Sequence, residues 1–128
     1  MAAARTERAR AGVAAEDAAL AHLRAAGLQL LARNVRYPFG EIDLVMREGA
    51  TLAFVEVRYR RSRSFGGAAA SVTRDKRRKL ARAAQAWLGA HRAHARSDCR
   101  FDVVAVSPGG ECIECEWLRA AFTLDDVW

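Results

Sequence analysis

The sequence predicts one α/β domain, a mixed β-sheet flanked by helices, with its elements in the order αβββαββ. Three observations predict it. Two β-branched, apolar runs with interleaved acids, 42–46 and 52–57, flank Glu48-Gly49-Ala50-Thr51, a two-residue hairpin loop of type II′ in which glycine takes the positive φ. An Ala- and Leu-rich stretch over 12–26 closes at Gly27, where a helix-ending glycine belongs, and a second helical pattern opens after Thr73. Strand alternation then returns over 100–106 and 111–118, which makes the sheet mixed.

Residues 1–10 read as a flexible tail or as the start of the first helix. Within 12–26, Val13, Asp17, Leu20 and Arg24 share one line, and Glu16, Leu20 and Leu23 share another. Glu16 therefore sits at the edge of the apolar stripe. It either turns toward the sheet or stays in water near the helix start, where the dipole favours a negative charge. Leu28, Leu30, Leu31 and Val35 mark the first strand over 28–37, and Pro38-Phe39-Gly40 ends it. After the hairpin, 59–70 is rich in Arg, Ser and Gly without an apolar period and reads as a loop. Arg58, Arg60, Arg61 and Arg63 crowd its start, as a solvated charge run or as a phosphate grip.

Thr73 is the expected N-cap of the second helix, which runs to 90 or 93. Leu80, Ala83, Ala84, Trp87 and Leu88 form its apolar face, and Arg74, Lys76, Arg77, Arg78, Lys79 and Arg82 load the opposite side and the first turns. In the strand over 100–106, Phe101, Val103 and Ala105 face one way and Asp102, Val104 and Val106 the other; Asp102 reads as structural, paired with an arginine. Pro108-Gly109-Gly110 turns the chain into an edge strand over 111–118, and 123–128 reads as a tail.

The hairpin turn sets a register. If Glu48 faces Thr51, then Val45 faces Phe54, Asp43 faces Glu56 and Glu41 faces Arg58. Ile42, Leu44 and Met46 meet Val57, Val55 and Ala53 on a wholly apolar second face. Directly opposed carboxylates lie with Cβ atoms about 5 Å apart and destabilise a sheet unless a cation or a proton lies between them. Two readings fit. One is a divalent-metal site, since converging hard oxygen ligands suit Mg²⁺ or Mn²⁺. The other is a charge network in which Arg58 and neighbouring arginines neutralise Glu41, Asp43 and Glu56.

Composition narrows the function. The chain has 128 residues, one domain by size, and carries a net charge of +6 with a pI near 10.0, which suits a polyanionic partner. No apolar run reaches membrane-spanning length, and the N-terminus lacks the apolar core of a signal peptide, so a cytoplasmic protein without a membrane partner is expected. The three cysteines, Cys99, Cys112 and Cys115, make no disulfide framework. The lone Cys112-Ile113-Glu114-Cys115 has no second ligand pair for zinc and lies in a strand pattern, which leaves incidental thiols.

Several short blocks then carry a resemblance. Arg33-Asn34, Gly40-Glu41-Ile42-Asp43-Leu44, Phe54-Val55-Glu56-Val57-Arg58-Tyr59-Arg60, Lys76 in a basic helix and Arg100-Phe101-Asp102-Val103-Val104 resemble the YraN-type family of small bacterial proteins. That family is similar to archaeal Holliday-junction resolvases, within the PD-(D/E)xK, restriction-endonuclease-like nucleases. The resemblance implies a restriction-endonuclease-like fold, a metal-dependent phosphodiesterase, DNA as partner, branched DNA in particular, and a homodimer. It matches Asp43 to the superfamily's metal-binding Asp, Glu56 to the acid of the (D/E)xK element, and Glu16 to the acid that resolvases carry on the first helix. Lys76 matches the family's helix lysine.

One position departs: the motif's lysine is Arg58 here. Arginine keeps the charge, but it is planar and effectively never deprotonated, so it cannot act as a base. The expectation is a metal-dependent DNA endonuclease. Asp43, Glu56 and Arg58 are its catalytic residues; Asp43, Glu56, Glu41 and Glu16 are its Mg²⁺ or Mn²⁺ ligands; Arg60, Arg61, Arg63, Arg74, Lys76 and Arg77 contact the nucleic acid. The alternatives are a non-catalytic DNA-binding module on a degenerate nuclease fold and a protein-interaction module whose acids are simply ion-paired.

Overall fold

Gly49 holds φ at +60°, and the hairpin it closes is the spine of the sheet. A computed structural model of the chain describes residues 2–60, 72–109 and 112–124. The order is α1 (Ala2–Ala25), β1 (Gln29–Tyr37), β2 (Gly40–Glu48), β3 (Thr51–Tyr59), α2 (Arg74–Ala90), a short 3-10 turn (Arg92–His94), β4 (Asp98–Gly109) and β5 (Cys112–Phe122). The helix is already formed at Ala2, where a tail or a helix start was expected. Of the arginine-rich loop expected over 59–70, Tyr59 belongs to β3, and 61–70, with Arg61 and Arg63, lies outside the described residues, as does the end of the chain after Leu124.

The five strands lie in chain order in one sheet. β1, β2 and β3 form an antiparallel meander. α2 carries the chain over so that β4 runs parallel to β3, and β5 returns antiparallel to β4. This αβββαββ sheet with a helix on each face is the predicted mixed α/β architecture and is consistent with a restriction-endonuclease-like fold. The α2 face buries Val45, Leu52 and Phe54 against Leu80, Ala84 and Trp87. The α1 face buries Leu44, Met46, Ala53 and Val55 against Ala19, Leu20 and Leu23. Side chains of this size contribute about 1.5–3 kcal/mol each when fully buried, so the two faces together are the main source of stability.

The register from Glu48↔Thr51 to Leu44↔Val55 is the predicted one, and there the ladder stops. The expected pairs Asp43/Glu56 and Glu41/Arg58 are not ladder partners. On its other side β2 pairs Leu44 with Arg33 and Ile42 with Val35, passing over Asn34, whose φ is +53°. Alternation breaks at the same point: Ile42 packs in the α2-side core, while Leu44 and Met46 lie in the α1-side core. The apolar face expected to run from Ile42 to Met46 is thus cut in two at Asp43. The physical reason is local. The Val57 N–H donates to Asp43 Oδ2 at 2.8 Å, so a side-chain carboxylate takes up a strand donor where the β2–β3 ladder has ended.

Asp102 has the structural role expected of it. It is fully buried and accepts from Arg100 Nε at 3.0 Å, Trp117 Nε1 at 3.0 Å and the Ala120 N–H at 2.9 Å. Ala120 has φ +48°, and the β4–β5 register shifts between Phe101 and Val103, so Asp102 clasps an irregular stretch of the edge strand. The edge strand holds Cys115, a free, half-buried thiol.

Candidate acidic cleft

The divergence of β2 from β3 brings Asp43 and Glu56 together. Their carboxyl groups are close enough to act on one another, Asp43 raising Glu56 while Glu56 helps to hold Asp43 down. Burial is the first cause that raises Glu56, followed by the negative charge of Asp43; together they push it to about 8, against the pull of Arg58 and Lys76. Asp43 is also raised, first by burial and then by the charges of Glu16 and Glu41, while the Val57 N–H and Glu56 hold it down. The pair therefore behaves as one titrating unit that keeps a proton at neutral pH.

The remaining predicted acids stand around this pair without completing it. Glu41 is exposed and lines the same cleft. Glu16 does turn toward the sheet and acts on Asp43, but Arg33 Nε holds its Oε1 at 2.6 Å while Arg33 Nη2 reaches Asp17. Among the described residues, no group of three or more His, Cys, Asp or Glu side chains is arranged to hold a metal ion. Arg58 Nη1 lies 3.8 Å from Glu56 Oε1, and its Nε is buried without a hydrogen-bond partner.

The acid pair opens into a cleft of about 670 Å³ between the β1–β2 turn and α2. Lys76 lines it, together with Asp75, Arg78, Lys79 and Arg82. Of the other predicted nucleic-acid contacts, the described ones do not line this cleft. Arg77 turns its Nε to the Val72 carbonyl and its guanidinium over the Phe122 ring. Arg60 shares a small recess with Glu114 and Glu116. Arg74 is exposed and does not line the cleft. Helical phase does not sort these cations: 79 and 82 share a stripe with Asp75, but both 76 and 77 lie in line with core positions, 76 with 80, 83 and 87 and 77 with 80, 81 and 84.

Gly40 is what lets α2 come this close. A Cβ built on it would stand 2.3 Å from the Lys79 carbonyl oxygen, a contact no side chain can make. The glycine of the Gly40-Glu41-Ile42-Asp43 block thus places the basic helix against the strand that carries the acids. Sequence reading also passed over the cleft's aromatic lip, Tyr37 and Phe39.

A family model described as uncharacterised protein family UPF0102 matches residues 15–106. Among similar proteins, a UPF0102 protein of Xanthomonas campestris pv. campestris is 57% identical over 126 residues, covering 98% of this chain and 99% of the relative. A UPF0102 protein of Stutzerimonas stutzeri is 50% identical over 111 residues, 87% of this chain and 92% of its own. One from Shewanella amazonensis is 50% identical over 111 residues, 87% of this chain and 97% of its own.

Proposed function

This chain belongs to the uncharacterised protein family UPF0102, the YraN family, and we propose that within it the chain is a DNA-binding protein that hydrolyses phosphodiester bonds with a divalent metal held by Asp43 and Glu56. The observation that carries this reading is the half-buried carboxyl pair in a cleft that Lys76, Arg78, Lys79 and Arg82 line beside Glu41 and Asp75. Two like acids pressed together and kept from ionising are one cation short, and a metal ion can take the place of their shared proton. The donor set fits Mg²⁺ or Mn²⁺, because these ions take one or two carboxylates from the protein and complete their shell with water and substrate phosphate. No third acid is therefore required, although Glu41 stands near enough to act through water. A bound metal would supply charge neutralisation at the phosphate and acidification of a water molecule.

The chain's own residues do the rest. Lys76 and its neighbours on α2 draw the phosphate backbone into the cleft. Arg58, whose Nη1 lies 3.8 Å from Glu56 Oε1, would steady charge that develops on the phosphate. Partial burial of the acids strengthens each of these interactions. Branched DNA and a homodimer are carried only by the likeness to resolvases.

A second reading has its own support. Arg58 replaces a lysine, and Arg33 occupies the acid that resolvases carry on the first helix. Both suit a protein that binds DNA without cutting it. Cleavage of labelled linear duplex, single strand, flap and four-way junction with Mg²⁺ or Mn²⁺ separates the two. We expect wild type to cut and Glu56→Ala not to. Cutting by Arg58→Lys alone would mean a nuclease fold whose activity has lapsed at one side chain. Binding without cutting by every variant would establish the non-catalytic module. Calorimetry with Mn²⁺ on wild type and Asp43→Ala tests the metal directly, and no heat from wild type would sink it.

A further inference from the structure

The cleft has an apolar lip that phosphate binding does not call for. Tyr37 ends β1, and Phe39 lies two residues on, in the turn into β2. Their rings are parallel, 2° apart in tilt, with centroids 5.4 Å apart. Phe39 is nevertheless 41% exposed, a large apolar ring held out toward water at the mouth of a polar cleft. It is also set close to α2. Gly40, the next residue, abuts the Lys79 carbonyl, which fixes the lip against the helix that supplies Lys76, Lys79 and Arg82. An exposed aromatic ring beside cations along a groove is the arrangement on which single strands bind: the cations follow the phosphates and the ring takes a base face. In a continuous duplex those faces are already stacked and out of reach.

We propose that Phe39, backed by Tyr37, is a stacking platform for an unpaired nucleobase, so that the cleft selects single-stranded or frayed nucleic acid over continuous duplex. The proposal rests on the nucleic-acid reading above and adds the substrate class to it. It requires neither cleavage nor metal.

The test is binding, by fluorescence anisotropy without divalent metal, of a labelled oligothymidylate and of a blunt duplex of equal length. Wild type should prefer the single strand. Phe39→Ala should weaken single-strand binding about ten-fold, within the range for one base on one ring, and change duplex binding less than about two-fold. Phe39→Trp should restore the preference. Because Phe39 is exposed, all three proteins should melt alike. Equal loss on both oligonucleotides, or no loss on the single strand, would overturn the platform while leaving nucleic-acid binding intact. Failure of wild type to bind either oligonucleotide, with Lys76→Ala indistinguishable from it, would remove the nucleic-acid reading and the platform together.

Discussion

At the scale of single residues, the clearest handle on the site is the proton that Glu56 holds with Asp43. The usual value for Glu is 4.5, and in the fold burial and Asp43 raise it to about 8. Between those values the folded chain keeps a proton that the unfolded chain has already released. Stability is therefore fully present below the unfolded value and is lost as pH rises toward about 8. Asp43 is displaced in the same direction and reinforces the trend. Thermal melts should show a lower melting temperature at pH 8.5 than at pH 5. Glu56→Gln keeps the shape without an ionisable proton, so it should flatten this part of the profile and melt several degrees above wild type at pH 8.5, a gain of roughly 1–3 kcal/mol. Metal binding should run the other way, because a metal ligates the deprotonated pair: Mn²⁺ affinity by calorimetry should rise with pH up to about 8. A profile that does not respond to Glu56→Gln would mean that the pair is not protonated as described.

At the scale of elements, what was legible in the chain was the alternation and the turn chemistry, and what was not was where a ladder gives out. Gly49 and the two apolar runs were enough for the hairpin register, because a period of two and one positive-φ residue leave a single solution that buries Phe54 and Val55 on opposite faces. Nothing in those runs announces that Asn34 sits at φ +53° or that the Val57 N–H is claimed by Asp43; both follow from three strands and two helices settling against one another. The same holds for α2. Its apolar stripe was readable, but its closeness to β2 depends on Gly40, which read only as a strand breaker. Gly40→Ala should force the helix and strand apart, at a cost of about 1–3 kcal/mol typical of overpacking. Urea denaturation should show this loss, and the variant should also bind Mn²⁺ and DNA more weakly, because the acids and the cations ride on the two elements that are displaced. At the far edge, Asp102→Ala should cost about 3–5 kcal/mol by leaving Arg100 and two further part-buried donors without their acceptor. Its damage should appear as a lower urea midpoint, with no specific effect on metal affinity in the protein that remains folded.

At the scale of the whole molecule, a charge of +6 is a statement about attraction to polyanions in general, and the fold converts it into a direction. The basic residues of α2 do not all share one task. Arg77 is turned to Phe122, while Lys76 and Arg82 line the cleft that ends at the acids. The likeness to the family singled out Lys76, but the residues alone set Arg74 and Arg77 beside it, since a run of cations carries no mark of which will face a cleft until the partner strand is placed. This difference can be measured. Each phosphate contact removed lowers the slope of log affinity against log salt by about 0.7–0.9, depending on whether the nucleic acid is single- or double-stranded. Lys76→Ala with Arg82→Ala should therefore flatten the slope by roughly 1.4–1.8, whereas Arg74→Ala, exposed but outside the cleft, should leave it within experimental error. Equal effects from Arg74 and Lys76 would mean that nucleic acid follows the helix's total charge and not the cleft, which would separate the binding surface from the carboxyl pair and remove the geometric reason for joining them in one site.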